Sequence, residues 1–134
     1  MVADLERSTS LYIEVFGCTP VRSSDVPADI NLPAGLGGPT TVVWLQTPSG
    51  ERLKLIRPDA LPDNAVPITP LTQQRGLAYL TFYVADIEPV AEQLRARGAE
   101  PISAPVLVEA RGKRISFWTD PEGTVLELVD ARGE

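Results

Sequence analysis

A hairpin written twice in the sequence constrains this chain more than any other feature. Residues 117–128 align without a gap on residues 44–55. Pro121 falls on Pro48, Gly123 on Gly50, Leu126 on Leu53, Leu128 on Leu55, and Glu127 on Lys54. Asp120, Pro121 and Gly123 occupy the first, second and fourth places of a type I turn, where Asp accepts backbone bonds and Pro presets φ. β-Branched and aromatic residues flank the turn, so the unit reads strand, turn, strand. Pairing Thr119 with Thr124 sets Trp118 opposite Val125, Phe117 opposite Leu126 and Ser116 opposite Glu127, because residues directly opposite share a sheet face. Phe117, Leu126 and Leu128 then form an apolar face. Ser116, Trp118, Val125 and Glu127 form a mixed one with a carboxylate in its middle. Trp44, aligned with Phe117, is assigned to the core.

The segments upstream repeat as well. Asp4, Leu5 and Glu6 match Asp86, Ile87 and Glu88, each trio opening a helical pattern that closes on Gly17 or Gly98. An internal repeat of this size means two copies of one supersecondary unit. Neither half is long enough for a comfortable core alone, so residues 1–134 are expected to form one domain. Its first module runs over 1–57, a linker over 58–75, and its second module over 76–134.

The charge balance narrows the function. Lys plus Arg is 12 against 18 for Asp plus Glu, a net charge of −6. This disfavours nucleic-acid binding, which needs a basic footprint. No apolar run reaches membrane-spanning length and no signal-peptide layout opens the chain. Cys18 is the only cysteine, so no intrachain disulfide forms and a reducing cytoplasm is the expected setting. With no histidine to activate it, Cys18 reads as a small packed residue rather than a nucleophile.

In chain order, Asp4 is an N-cap for a helix reaching about Phe16, with Leu5, Leu11, Tyr12, Val15 and Phe16 on one stripe. Only three residues precede Asp4, so either the first module lacks its first strand or the natural start lies upstream. Thr19 to Arg22 reads as a short strand and Ser23 to Pro39 as a loop long enough to cover a cavity. Thr40 to Thr47 and Glu51 to Arg57 make the first hairpin. Leu77 to Val84 reads as a strand with Leu80, Phe82 and Val84 on one face and Tyr79, Thr81 and Tyr83 on the other. A helix over Asp86–Arg97 turns Ile87, Val90, Ala91 and Leu94 inward. Pro89 sits in its first turn, where a missing N–H costs nothing. Pro101 to Glu109 reads as a broken strand, and Lys113 to Thr119 leads into the second hairpin. The second module is therefore β-α-β-β-β. Each helix covers the apolar sheet face, which leaves Tyr79, Thr81, Tyr83, Arg114, Ser116, Trp118 and Glu127 on the opposite face.

Paired modules of this kind, the Asp4–Tyr12 helix opening that closes on Phe16 and Gly17, and the Trp118-x-Asp120-Pro121-x-Gly123-x-x-Leu126-Glu127-Leu128 pattern resemble the vicinal oxygen chelate superfamily. This is the glyoxalase, bleomycin-resistance and extradiol-dioxygenase group, and the likeness spans nearly the whole chain. It implies an α+β fold of two tandem βαβββ modules forming a cupped mixed sheet, with the first strand of module one missing. It does not fix a reaction, because one fold hosts many functions. Metalloenzymes of the group take ligands, usually His and Glu, from the first and last strands of each module. Carried over position by position, the last-strand ligand of the second module is Glu127, while Lys54 stands in its place in the first. The usual first-strand histidine of the second module falls at Tyr79. Neither metal nor other cofactor is therefore expected.

Three readings follow. The first is a metal-free module, similar to the bleomycin-resistance branch, that binds a small aromatic or amphipathic molecule. Tyr79, Tyr83 and Trp118 supply apolar surface, while Lys54, Thr81, Arg114, Ser116 and Glu127 orient polar groups. The second is a metal-independent lyase or isomerase, with Glu127 as general base or acid, Tyr79 as partner acid, and Lys54 or Arg114 stabilising an oxyanion. The third is a structural or regulatory protein with a vestigial cavity. A homodimer is expected, because a missing first strand leaves an edge open for pairing.

Overall fold

Both hairpins close through the same three-residue loop. The computed structural model describes residues 1–63, 67–104, 106–108 and 112–130, and the chain divides into two units, Met1–Asp63 and Asn64–Glu134. The first unit runs α1 (Leu5–Glu14), β1 (Thr19–Val26), α2 (Ala28–Asn31), β2 (Thr40–Gln46) and β3 (Arg52–Pro58). The second runs β4 (Leu80–Val84), α3 (Ile87–Ala96), β5 (Glu100–Pro101), β6 (Val106–Val108), β7 (Lys113–Thr119) and β8 (Val125–Asp130), after a 3₁₀ turn at Leu71–Gln73. The class is α+β, with two small sheets.

In the first unit an antiparallel sheet has the order β1-β2-β3. In the second, β4 runs parallel to β8, which pairs antiparallel with β7, and both β5 and β6 pair with β7. The broken strand expected from Pro101 is therefore β5 and β6 on one edge of β7. Its expected last residue, Glu109, lies outside the described residues.

Helix boundaries follow the capping chemistry. The Asp4 carboxylate accepts from the Arg7 N–H at 2.9 Å, satisfying one orphan donor of α1. Gly17, in the left-handed region at φ 70°, ends it by donating to Ile13 O at 3.1 Å. Asp86 caps α3 in the same manner by accepting from Glu88 N–H. Leu11, Tyr12 and Phe16 of the first helix segment, and Ile87, Ala91 and Leu94 of α3, are buried as their spacing requires. Counted from the capping aspartates, Val2 stands where Val84 stands in the second unit. Its N–H donates to Ile56 O at 2.8 Å, so one residue beside β3 holds the place that β4 fills beside β8.

The hairpin register differs from the sequence expectation by one residue. Thr119 pairs with Val125, Trp118 with Leu126, Phe117 with Glu127 and Ser116 with Leu128. The expected β-turn is present, since Gly123 N–H donates to Asp120 O at 3.0 Å. However, Gly123 takes φ 88° and inserts one extra residue, so the ladder closes between Asp120 N–H and Thr124 O at 2.8 Å. A type I turn followed by a left-handed residue is a recognised three-residue hairpin loop. The Asp120 carboxylate holds it by accepting from Glu122 N–H at 2.9 Å and Thr124 N–H at 2.8 Å. The first hairpin repeats the device. Gly50 has φ 103°, Thr47 N–H donates to Glu51 O, Thr47 Oγ1 accepts from Glu51 N–H, and Gln46 pairs with Arg52.

A slip of one residue turns every side chain of β7 to the other face. Ser116 and Trp118, expected on the open face, are buried beneath α3 with Leu126 and Leu128. Trp118 Nε1 donates to Ser116 Oγ at 2.9 Å, and the Arg95 guanidinium of α3 lies 5.0 Å from the Trp118 ring centroid. Arg114 follows them. It bonds Glu88 of α3 through both terminal nitrogens and lies 3.8 Å from the buried Asp130 carboxylate. Phe117, expected in the core, faces the opposite way beside Glu127. So does Trp44, which pairs with Lys54 in the first unit.

Two expectations about strand lengths also change. β1 continues to Val26, through residues whose polarity hides the strand, and α2 then interrupts the expected loop. Asn31 anchors that segment by donating from Nδ2 to Gly38 O at 2.9 Å and Thr40 Oγ1 at 3.0 Å. The first strand of the second unit begins at Leu80 rather than Leu77, which is left exposed.

Candidate active site: the open face of the second unit

The face of the second sheet turned away from α3 carries Thr81 and Tyr83 of β4, Phe117 of β7 and Glu127 of β8. Tyr79, just before β4, lies against Phe117, with ring centroids 5.1 Å apart in an edge-to-face pair. Parallel pairing sets Thr81 beside Glu127, and antiparallel pairing sets Phe117 on its other side. Thr81 Oγ1 donates to Glu127 Oε2 at 2.6 Å, a short bond of the kind a charged acceptor makes. Among the described residues Glu127 Oε1 has no partner, so a fixed carboxylate presents one open acceptor beside Phe117. Lys113 Nζ stands 5.9 Å from the Tyr83 ring centroid, and Tyr83 itself is 70% exposed.

A cavity of about 340 Å³ adjoins this face at its Val125 end. Pro67, Ile68, Leu71 and Leu77 wall it from the segment before β4, and Tyr79 and Val125 belong to both the cavity and the face. The volume lies at the lower end of the range for small-molecule pockets, and the lining is mainly apolar. Sequence reasoning did not find this cavity, because the proline-rich stretch at 58–75 reads as linker and carries no periodicity.

Of the sequence-nominated residues, Glu127, Tyr79, Thr81 and Tyr83 come together here. Lys54 stands at the equivalent place on the open face of the first unit, over Trp44. Arg114, Ser116 and Trp118 lie on the helix-covered face and take no part. Phe117 and Trp44 were missed, and the signal for both is the glycine placed last in each loop, since a left-handed residue there adds one to the count.

On the helix-covered side, Asp86, Glu88 and Asp130 each bring one carboxylate oxygen to within 4.8 Å of the others. Arg114 enters this group. Its hydrogen bonds hold the Glu88 carboxyl down at about 2, aided by Asp86 and by the backbone. The three acids and the guanidinium form a structural ion-pair network that ties the first turn of α3 to β7 and β8. Cys18 is buried, and burial pushes its thiol up, away from the thiolate a nucleophile needs. Among the described residues no helix is long and apolar enough to cross a membrane.

A family model of the glyoxalase/bleomycin resistance protein/dioxygenase superfamily matches residues 1–117. Among curated proteins, a lactoylglutathione lyase of Arabidopsis thaliana is 29% identical over 132 residues, covering 96% of this chain and 41% of the relative. A putative lactoylglutathione lyase of Brassica oleracea matches to the same extent, so the chain spans about 41% of the length of these relatives. A glyoxalase family protein from Bacillus cereus superposes with a TM-score of 0.79 at 25% identity, over 96% of this chain and 87% of the other. Glyoxalase I from Zea mays (TM-score 0.68, 22% identity, 96% and 41% covered) shares the fold. So does a fosfomycin resistance protein from Listeria monocytogenes solved with Mn(II) and sulfate (TM-score 0.61, 16% identity, 98% and 87% covered). With two repeated modules, paired hairpins and a family match over most of its length, the chain belongs to the glyoxalase/bleomycin resistance protein/dioxygenase superfamily.

Proposed function

We propose that this domain binds a small aromatic or amphipathic molecule on the open face of its second unit, without a metal ion. The supporting observation is the sharing of Tyr79 between the 340 Å³ apolar cavity and the face that carries Glu127. The apolar body of a ligand enters beside Tyr79, Leu71 and Val125, and a donor or cationic group meets Glu127 Oε1. A fixed carboxylate beside aromatic walls selects for such a pairing of groups.

The residues at the family's chelating places do not fit a divalent transition ion. Lys54 is an ammonium that repels cations, Tyr79 offers a phenol paired with Phe117, and the chain has no histidine. Glu127 alone remains, with one oxygen already bonded to Thr81. Titration with phenethylamine, followed by calorimetry, tests the proposal, with ethylbenzene as the uncharged control. The amine is expected to bind and Glu127→Gln to weaken it at least about tenfold, a loss of about 1.4 kcal/mol. No saturable binding, or binding indifferent to Glu127→Gln, overturns it. A stoichiometric transition metal in the purified protein overturns the metal-free part.

A second reading rests on the Thr81–Glu127 bond, which orients the carboxylate as a general base would be oriented. In that reading the domain is a metal-independent lyase or isomerase acting beside a carbonyl. Glu127→Gln then abolishes turnover while sparing affinity, and loss of both together favours binding alone.

A further inference from the structure

The open face of the first unit carries the opposite charge. β1, β2 and β3 place Arg22, Trp44 and Lys54 in one row, with Arg22 paired to Trp44 and Trp44 to Lys54. The Arg22 guanidinium carbon lies 4.1 Å from the Trp44 ring centroid and Lys54 Nζ lies 5.5 Å from it, so both cations rest against one indole. Arg52 joins them, two residues from Lys54 on the same face of β3.

Among the described residues these cations are unmatched. Asp25 is the only carboxylate in the three strands, and alternation turns it to the other face, where it accepts from Thr41 Oγ1 at 2.8 Å. Among the described residues neither Arg22 nor Lys54 has an ion-pair partner. In a chain of net charge −6, three cations gathered on one sheet face without an acid are a departure from the average surface. Each rises from a residue paired in the ladder, and the indole holds the heads of Arg22 and Lys54. The repeat makes the inversion plain. Lys54 occupies the place of Glu127, and Trp44 the place of Phe117, so the same frame presents an acceptor in one unit and donors in the other.

We propose that the Arg22–Trp44–Lys54 row is an anion-binding site for a small carboxylate or phosphate, with Trp44 as the flat wall beside it. The guanidinium offers a planar fork and the ammonium a point charge, a combination that suits an oxyanion bridged between them. A planar body attached to the anion gains contact with the exposed part of the indole.

The site is tested by NMR of the two tryptophan indole N–H groups, at constant ionic strength, with benzoate, inorganic phosphate and the uncharged benzamide as probes. Trp44→Phe assigns the resonances, and Trp118, buried under α3, is the internal control. Benzoate or phosphate is expected to shift the Trp44 signal saturably while leaving Trp118 in place. The double variant Arg22→Gln, Lys54→Gln is expected to weaken that binding at least about tenfold. Saturation by benzoate well below phosphate identifies a carboxylate on a flat body, and the reverse identifies a free oxyanion. Equal shifts with benzamide, no saturation below about 50 mM, or affinity unchanged in the double variant overturns the proposal.

Discussion

Phe117 stands directly opposite Glu127 across the β7–β8 ladder, while its neighbour Trp118 is buried against Leu126 on the other side. That pairing decides which side chains of β7 belong to the core and which to the site. Truncation distinguishes the two faces. Trp118→Ala is expected to cost about 3–5 kcal/mol, the usual range for deleting a buried aromatic. Phe117→Ala, at a half-buried position, is expected to cost about 1–2 kcal/mol by loss of partly buried apolar area. Urea unfolding of both variants checks the order, and a reversal would show the register to be wrong.

The loop that sets this register depends on one backbone conformation. Gly123 at φ 88° accepts a side chain only with strain, so Gly123→Ala is expected to destabilise by about 1–2 kcal/mol. Asp120→Ala removes a carboxylate that accepts from two N–H groups and is expected to cost about 2–3 kcal/mol. Thermal denaturation of the two variants measures both.

Acid titrates the network under α3. The Glu88 carboxyl lies near 2 in the folded chain against an ordinary 4.5, so it favours folding when ionised. Its contribution is complete above pH 4.5 and is lost as pH falls from 4.5 towards 2. Wild type is therefore expected to melt above Glu88→Gln at pH 6, with the gap closing by pH 2. A gap that stays constant over this window would remove Arg114 as its cause.

Cys18 is expected to resist modification. Burial both raises its thiol and blocks access, so a disulfide reagent at pH 8 should label the native protein at least about tenfold more slowly than the urea-unfolded one. Equal rates would place the thiol at the surface.

Thr81 positions the site carboxylate. Thr81→Val keeps the strand shape and removes the donor to Glu127, which frees the side chain to rotate. Binding of phenethylamine is expected to weaken by about threefold to tenfold, the worth of one hydrogen bond, with little change in melting temperature. Wild-type affinity in this variant would mean that Glu127 needs no orientation.

Local chemistry was legible in the sequence, and long-range pairing was not. Asp4 and Asp86 announce their helices because a carboxylate accepts from the orphan N–H groups just beyond it. Gly17 and Gly98 end the same patterns because they take the left-handed conformation. The repeat itself follows from a gap-free alignment that the two matching registers confirm. The face of Trp118 was missed because Asp-Pro-Glu-Gly fits a four-residue turn and a three-residue loop with a bulge equally well by composition. β1 beyond Arg22 was missed because Ser23, Ser24 and Asp25 are exposed and show no hydrophobic alternation. Arg114 was misplaced because it rides on β7, whose register the turn composition leaves open, and because its partner Glu88 lies 26 residues away in the chain.

The bulge glycine has an evolutionary corollary. Removing one residue from either loop would turn one strand inside out, exchanging its interior and exterior side chains in a single step. Insertions and deletions at these two bends can therefore rewrite what a module recognises without any point substitution, and loop length should be compared before residue identity when relatives are sorted by specificity.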